Sequence, residues 1–374
     1  MVNSGDKLIT YALKPLSFIY RAVTDLRNLL YDKGVLKTHE FRIPVICVGN
    51  LSVGGTGKTP LVEYIVSRLM GNYHIGIVSR GYKRHTKGFV LANSKSSPET
   101  IGDEPYQMYS KFGKQVRVAV CEDRVKGIRK LAELDRKIDL IILDDAFQHR
   151  KVRPDISIML MDYNKPVYED DVLPLGTLRE HRAGMNRADI VMVTKCPSGL
   201  QPLDYGMFNK CLELMKYQQL FFSKIKYDEL KNVFPEENIY SADLSSLNNS
   251  DTVLLVTGIA NPRSLIRYCS RFNFRLRIMH FPDHHNFTKS DFDKIKSKFK
   301  SLKGNRKIIL TTEKDASRML FNPYFPYELR KFCFYQPIRV DMIGEWPKNT
   351  TFDIELEKLL AKVQRKKNPE SKES

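Results

Sequence analysis

Paired cysteines are missing from this 374-residue chain. Its six, at positions 47, 121, 196, 211, 269 and 333, form no C-x-x-C motif, and Cys47 falls inside an apolar run. That argues against a disulfide framework or a structural zinc and points to a reduced, cytoplasmic setting. Long uncharged hydrophobic runs are missing too, so no membrane span and no compact signal-peptide core is expected. There is no internal repeat of short period. Nor is there an aromatic–basic RNA motif, a recognition-helix signature or an Asn-Lys-x-Asp guanine-reading block, since Thr194-Lys195 is followed by Cys196. Acidic residues are outnumbered, 43 against 61 basic, for a net charge of +18. That excess predicts an anionic partner: nucleic acid, an anionic membrane face or a phosphorylated substrate. The remaining composition, 42% hydrophobic and 28% charged, is that of a globular chain with one large or two ordinary domains.

The most informative stretch is Ile43-Pro-Val-Ile-Cys-Val-Gly-Asn-Leu-Ser-Val-Gly-Gly-Thr-Gly-Lys-Thr-Pro60. Residues 45–48 read as a buried strand, 50–56 as a glycine-rich turn. After Pro60, Leu61, Val62, Ile65, Val66 and Leu69 recur at helical spacing. Strand, Gly-rich loop, Lys-Thr and helix make a phosphate-binding loop in its expected context. Glycines let backbone N–H groups crowd round a polyphosphate, and the helix N-terminus adds partial positive charge. Ser52, Val53, Gly54, Gly55, Thr56, Gly57, Lys58 and Thr59 are therefore the candidate residues for binding a nucleoside triphosphate. Lys58 would reach the β- and γ-phosphates, and the Thr59 hydroxyl would bind Mg²⁺. Ser52 stands where the general pattern has glycine.

Four apolar residues then lead to paired aspartates in Ile138-Asp-Leu-Ile-Ile-Leu-Asp-Asp145. A strand ending in Asp144 and Asp145, after the loop helix, supplies a carboxylate for the Mg²⁺ shell. Further strands are predicted at 75–79, 116–120, 156–161 and 190–193, with a helix over 124–134, so the sheet should be parallel and doubly wound. Residues 37–218 are the expected P-loop core and 219–250 a connection between lobes, with short strands at 220–225. A second α/β lobe is expected over 251–363. Its predicted elements are strands at 253–256, 274–280, 307–310 and 334–340 and helices at 262–271, 288–299 and 354–363, the second opened by a Thr288-x-x-Asp291 capping box. Residues 364–374 read as a disordered tail.

Residues 1–36 carry an amphipathic helix. Ala12, Leu16, Ile19, Val23, Leu26 and Leu30 make one apolar stripe, interrupted by Lys7, Lys14, Arg21, Arg27 and Lys33. Two readings stay open: a helix packed on the core, or one lying in the membrane interface with its basic residues on anionic headgroups.

The loop Gly49-Asn-Leu-Ser-Val-Gly-Gly-Thr-Gly-Lys-Thr-Pro60 resembles that of the tetraacyldisaccharide 4'-kinase family, the lipid A 4'-kinases of Gram-negative bacteria. Ser79-Arg-Gly-Tyr82, Gly102-Asp-Glu-Pro105, Asp144-Asp-Ala-Phe-Gln-His149 and Leu175-Gly-Thr-Leu-Arg-Glu180 resemble its other blocks in order. So do Gly258-Ile-Ala-Asn-Pro262, Phe281-Pro-Asp-His-His285 and Thr312-Glu-Lys-Asp-Ala316. Ala146 stands where the family often has glycine. The resemblance implies a peripheral enzyme on the cytoplasmic face of the inner membrane, with two α/β/α lobes and the active site between them. It would use ATP and Mg²⁺ to phosphorylate the 4'-hydroxyl of a tetraacylated glucosamine disaccharide 1-phosphate, giving lipid IVA. Its partners would be that lipid and an anionic membrane surface, with no nucleic acid.

The same resemblance makes Asp103 the catalytic base and gives it a histidine partner, His284, although His285 is adjacent. Arg179 would act on the phosphates, Glu180 would join Asp144, Asp145 and Thr59 at the metal, and Gln148 and Arg124 carry over more weakly. Two other classes compete: a nucleic-acid-dependent P-loop ATPase using the basic surface, and a GTP-dependent switch.

Overall fold

A computed structural model describes residues 4–237, 243–344 and 350–367. After a long helix α1 (Ser4–Asp32), the chain alternates strands and helices. In order these are β1 (Val45–Asn50), α2 (Lys58–Leu69), β2 (Ile75–Ser79), β3 (Val90–Leu91), the one-turn α3 (Pro98–Ile101), α4 (Asp103–Phe112) and β4 (Arg117–Val120). Next come α5 (Arg124–Leu134), β5 (Leu140–Asp144), β6 (Ile156–Asp162), β7 (Ile190–Thr194), α6 (Pro202–Leu212) and β8 (Gln219–Tyr227). The second lobe contributes β9 (Lys231–Asn232), β10 (Thr252–Thr257), α7 (Arg263–Cys269), β11 (Arg275–His280), α8 (Lys289–Ser301), β12 (Lys307–Thr312), α9 (Glu313–Leu320) and β13 (Cys333–Gln336). The last elements are β14 (Ile338–Ile343) and α10 (Phe352–Lys367).

Among the described residues the first sheet has nine strands in the order β14-β8-β7-β6-β1-β5-β2-β4-β3, parallel except for its two edge strands. Its inner strands β1, β2, β5, β6 and β7 are buried along nearly their whole length because both faces are covered. On β1, Ile46 and Val48 pack under α2 and α10, while Val45 and Cys47 pack under α5. The second sheet, β11-β10-β12-β13-β9, repeats the scheme: Leu254 and Val256 face α8 and α9, Val253 and Leu255 face α7. Thr288 caps α8 as its sequence implies, with Thr288 Oγ1 accepting from Asp291 N–H and the Asp291 carboxylate accepting from Thr288 N–H at 2.9 Å.

The division of the chain differs from the expected one at its C-terminal half. The single strand expected over 334–340 is two strands in different sheets, broken at Pro337, which has no N–H for a ladder. Residues 219–227, expected in the connection, are β8 of the first sheet. Helix α10, expected in the second lobe, packs Phe352, Leu356 and Leu360 into the core beneath α2. It also runs through Gln364–Lys367 of the expected disordered tail; positions 368–374 lie outside the described residues. The chain thus crosses between lobes twice, at 228–230 and at 337. The crossings are tied together by Asp228 N–H to Pro337 O (3.1 Å) and Gln336 Nε2 to Asp228 O (2.5 Å).

Candidate active site

The turn after β1 is built to receive an anion. Gly57, at φ 86°, precedes α2 in a left-handed conformation that an L side chain strains to adopt, and no side chain caps the first N–H groups of the helix. Lys58 leans back over the loop, 3.2 Å from Asn50 Oδ1 and 3.6 Å from Asp145 Oδ1. The loop is held from behind by Thr194 Oγ1 to Thr56 O at 2.7 Å and by Lys195, which donates to Gly55 O while paired with Asp162 at 2.6 Å. Val53 N–H donates to Thr177 O and Arg179 N–H to Leu51 O, tying the loop to the segment that carries Arg179 and Glu180. Ser52 is tolerated because its backbone is not left-handed. Gly49 has a different duty: a Cβ there would meet Phe147 Cβ at 2.6 Å, so only glycine lets β1 approach the turn after the aspartates.

The paired aspartates are set beside the loop because β5 lies next to β1, with Asp144 level with Val48. Asp144 is fully buried. Ser79 Oγ donates to its Oδ2 at 3.3 Å, whereas its Oδ1 has no partner. Burial first, then the charges of Glu104 and Asp145, raise its pKa to about 7. Asp145 turns outward at φ 47°. The left-handed residue is therefore Asp145 itself, and Ala146 carries no positive φ. Burial would raise Asp145, but Lys58 and Arg179, the latter 3.1 Å away, outweigh it and hold the carboxyl below its ordinary value.

Arg179 and Glu180 belong to one network with α1. Glu180, 3% exposed, accepts from Arg187 (2.8 Å), Gln148 Nε2 (3.1 Å) and Asn28 Nδ2 (2.7 Å). Gln148 also donates to Asn50 O, and Tyr20 OH to Arg179 O. Arg124 supports the turn from below, donating to Asp145 O at 3.2 Å.

Asp103 is the first residue of α4, and its partners come from the other lobe. His284 Nδ1 lies 3.0 Å from Asp103 Oδ2. His285 is engaged elsewhere, with Nε2 2.9 Å from Asp291 Oδ2 and its ring stacked on Phe281, so the geometry distinguishes the two histidines. Arg318 of α9 donates to both Asp103 oxygens. Burial would raise Asp103, but hydrogen bonds from His284 and Arg318 and the guanidinium charge outweigh it and lower the carboxyl to about 2. The neighbouring Glu104 pairs with Lys314, and it lies close enough to Lys58 and Asp145 for their charges to affect its own pKa. Through Glu104 the Asp103 pair is joined electrostatically to the phosphate loop.

Sequence reasoning missed Asn50, Lys195, Glu104, Lys314 and Arg318. Lys314 and Glu104 sit inside quoted blocks and Arg318 two residues beyond one, but only the fold brings α4 and α9 together. Among the described residues no three His, Cys, Asp or Glu side chains form a ready-made metal cage. The donor set fits Mg²⁺ differently: a buried, unpartnered Asp144 oxygen, the Asp145 carboxylate and the buried Thr59 suit a hard cation that takes its other ligands from phosphates and water.

Comparison with known proteins gives a consistent result. The family model described as tetraacyldisaccharide-1-P 4'-kinase matches residues 9–357. The chain is 47% identical over 338 residues to the tetraacyldisaccharide 4'-kinase of Bacteroides thetaiotaomicron, covering 88% of each protein. It is 41% identical to that of Flavobacterium johnsoniae, over 93% of this chain and 96% of the relative. A crystal structure of LpxK from Aquifex aeolicus in complex with ATP superposes with a TM-score of 0.71 at 29% identity, covering 95% of this chain and 99% of that one.

Proposed function

This chain belongs to the tetraacyldisaccharide-1-P 4'-kinase family, and from that premise we propose how its cleft works. The reaction is transfer of the ATP γ-phosphate to the 4'-hydroxyl of a tetraacylated glucosamine disaccharide 1-phosphate, a step of lipid A biosynthesis that yields lipid IVA. The observation that carries the assignment of roles is that Asp103 of the first lobe pairs with His284 of the second, while Glu104 beside it lies near enough to Lys58 and Asp145 to feel their charges.

The uncapped N-terminus of α2 and the loop 52–59 bind the triphosphate, with Lys58 on its β- and γ-oxygens. Thr59, Asp144 and Asp145 would hold Mg²⁺, with Glu180, which accepts from Arg187, Gln148 and Asn28, beside them. Bound there, Mg²⁺ would supply neutralisation of phosphate charge. Arg179, paired with Asp145 at rest, faces the equatorial oxygens over which charge spreads during transfer. Asp103 receives the sugar hydroxyl. With its pKa lowered to about 2 it is a weak proton acceptor, so its main work is to orient the nucleophile in a loose transition state. His284, from the second lobe, completes that pair only when the lobes are together, which couples closure to competence.

No helix among the described residues is long and apolar enough to cross a membrane. The acceptor nevertheless sits in one, and each CH₂ withdrawn from it costs about 0.8 kcal/mol. The exposed stripe of α1, with Phe18 73% and Val23 62% accessible, supports docking on an anionic membrane surface, the cytoplasmic face of the inner membrane. Basic residues along α1 and the net charge of +18 suit that surface without any nucleic acid. The test is to incubate the protein with Mg²⁺-ATP and the disaccharide 1-phosphate in mixed micelles and identify the product by mass spectrometry. One added phosphate on the non-reducing sugar is expected. ATP hydrolysis stimulated by DNA or RNA, without a lipid product, would support the competing ATPase reading.

A further inference from the structure

The two edges of the second sheet are unlike. Strand β9 is two residues long and offers a partner almost nothing, whereas β11 runs for six residues in unbroken register with β10. It holds neither a proline nor a bulge, the devices that commonly blunt an edge. Arg275 N–H donates to Asp251 O and Phe281 N–H to Thr257 O. Backbone groups alternate sides along a strand, so the odd-numbered residues of β11 face β10. Leu276, Ile278 and His280 therefore turn their N–H and C=O groups outward. Among the described residues no further strand pairs with that row, and Leu276 O takes instead the guanidinium of Arg277 at 3.1 Å. Ile278 is 45% exposed, so the edge is open to solvent.

The surroundings of this edge carry one sign of charge. Between Asp251 and Asp283 the chain has Arg263, Arg267, Arg271, Arg275 and Arg277 and no acidic residue. All five arginines are exposed and, unlike Arg117, Arg306 and Arg339, none pairs with a carboxylate among the described residues. Arg275 and Arg277 share the face of Met279, which packs against the α8 side of the sheet. There an open groove of about 650 Å³ separates Met279 from α8. Ser297 and Ser301 leave the space, and Lys294 and Lys298 outnumber one acid, Asp293.

We propose that this edge is a docking site for an extended acidic segment of a partner protein, which adds beside β11 as a sixth strand and lays its carboxylates along the basic groove. Shape and charge select the occupant together. A second copy of β11 would set arginine against arginine, a repulsive pairing of the kind that keeps natural edges apart. A flat anionic surface would meet the charges but would not give the outward N–H and C=O groups the alternating partners that a strand supplies. The contact uses no residue of the Lys58 loop and none where α4 meets α9, so it leaves the cleft free to work.

The test uses the full-length protein and three fluorescein-labelled peptides of about eight residues, a long strand's length. One alternates valine with glutamate, one alternates valine with lysine, and the third is the glutamate peptide N-methylated at every residue. The first is expected to bind at least about tenfold more tightly than the others, since the second inverts the charge and the third keeps it but cannot form a ladder. Its binding should slow hydrogen exchange at the amides of Leu276, Ile278 and His280. Arg275→Glu with Arg277→Glu is expected to reverse the preference between the glutamate and lysine peptides. Ile278→Pro removes an outward N–H that the fold does not use, and is expected to weaken the glutamate peptide by about tenfold. Near-UV circular dichroism and unchanged kinase activity show that both variants fold. Equal binding of the methylated peptide, or an unchanged preference in the charge-reversed protein, would mean non-specific attraction and would overturn the proposal. So would no binding of the glutamate peptide at about 1 mM. Protection of the same amides by anionic vesicles or by RNA, and not by the peptide, would assign the edge to a membrane or a nucleic acid and overturn it as well.

Discussion

Asp144 and Asp145 are neighbours in sequence and opposites in environment. Asp144 is sealed under the sheet with one oxygen unpartnered, while Asp145 is partly exposed and flanked by Lys58 and Arg179. For Asp144 the folded-state pKa, about 7, lies above its unfolded value of 3.8. Its contribution to stability is therefore fully present below about pH 4 and is lost as pH rises through 7. Asp144→Asn is accordingly expected to raise Tm by a few degrees in EDTA at pH 8, an advantage that disappears near pH 4. The same variant should lose most Mg²⁺-dependent turnover, and added Mg²⁺-ATP should stabilise it less than the wild type. Thermal melts at the two pH values check the first part and initial rates the second. Lys58→Ala is expected to lower kcat by at least about 100-fold, since it removes a preorganised cation from the phosphates. The loop and the aspartates were legible in sequence because spacing alone specifies them. Of the partners of Asp103, His284 came only with the family resemblance and Arg318 not at all, because hydrogen bonds across 181 and 215 residues leave no local pattern.

Helix α1 turns its apolar stripe outward. Its docking side is mostly polar: Ser17 Oγ donates to Val172 O, Tyr20 OH to Arg179 O and Asn28 to Glu180. Leu16, Phe18, Ile19, Val23 and Leu26 face away from the protein. The segment is therefore a packed helix that keeps an apolar face exposed, the face on which the proposed membrane contact would be made. Removing α1 entire would also remove partners of Arg179 and Glu180, so surface changes isolate the membrane role. Phe18→Ser with Val23→Ser is expected to abolish flotation with anionic vesicles, leave Tm within about 2 °C and preserve turnover on a micellar substrate. The stripe was visible as periodicity, but its direction was not, since periodicity does not say which side faces water. Helices α4 and α9 were missed for a related reason. They are short, and α4 buries only Pro105, Gln107 and Met108 while its charged residues point across the cleft. The break at Pro337 was hidden because apolar residues continue on both sides of it.

At the scale of the molecule, two lobes are joined by adjacent crossings at Asp228 and Pro337 and clasped by α4 against α9. Asp103 meets Arg318, Glu104 meets Lys314, and Lys111 bridges Glu63 and Glu313 at 2.7 Å each. Burial, only partly offset by Lys111, raises Glu63 to about 7. Lys111→Met leaves two largely buried carboxylates facing one another, an expected cost of about 3 kcal/mol. Because Glu63 carries its charge above about pH 7, the loss of Tm should be larger at pH 8 than at pH 6. Calorimetry at both values checks this; equal losses would mean that Lys111 does not clasp the lobes.

The central claim is that a triphosphate held at Lys58 gives its terminal phosphate to a sugar hydroxyl directed by Asp103. The most direct measurement is single-turnover transfer of label from γ-labelled ATP to the lipid disaccharide, with ATP affinity measured alongside, for the wild type and Asp103→Ala. The expected result is rapid labelling of the lipid by the wild type and a loss of at least about 100-fold in the variant, with ATP bound equally well by both. Equal labelling by the two proteins, or label released from ATP without reaching the lipid in either, would contradict it.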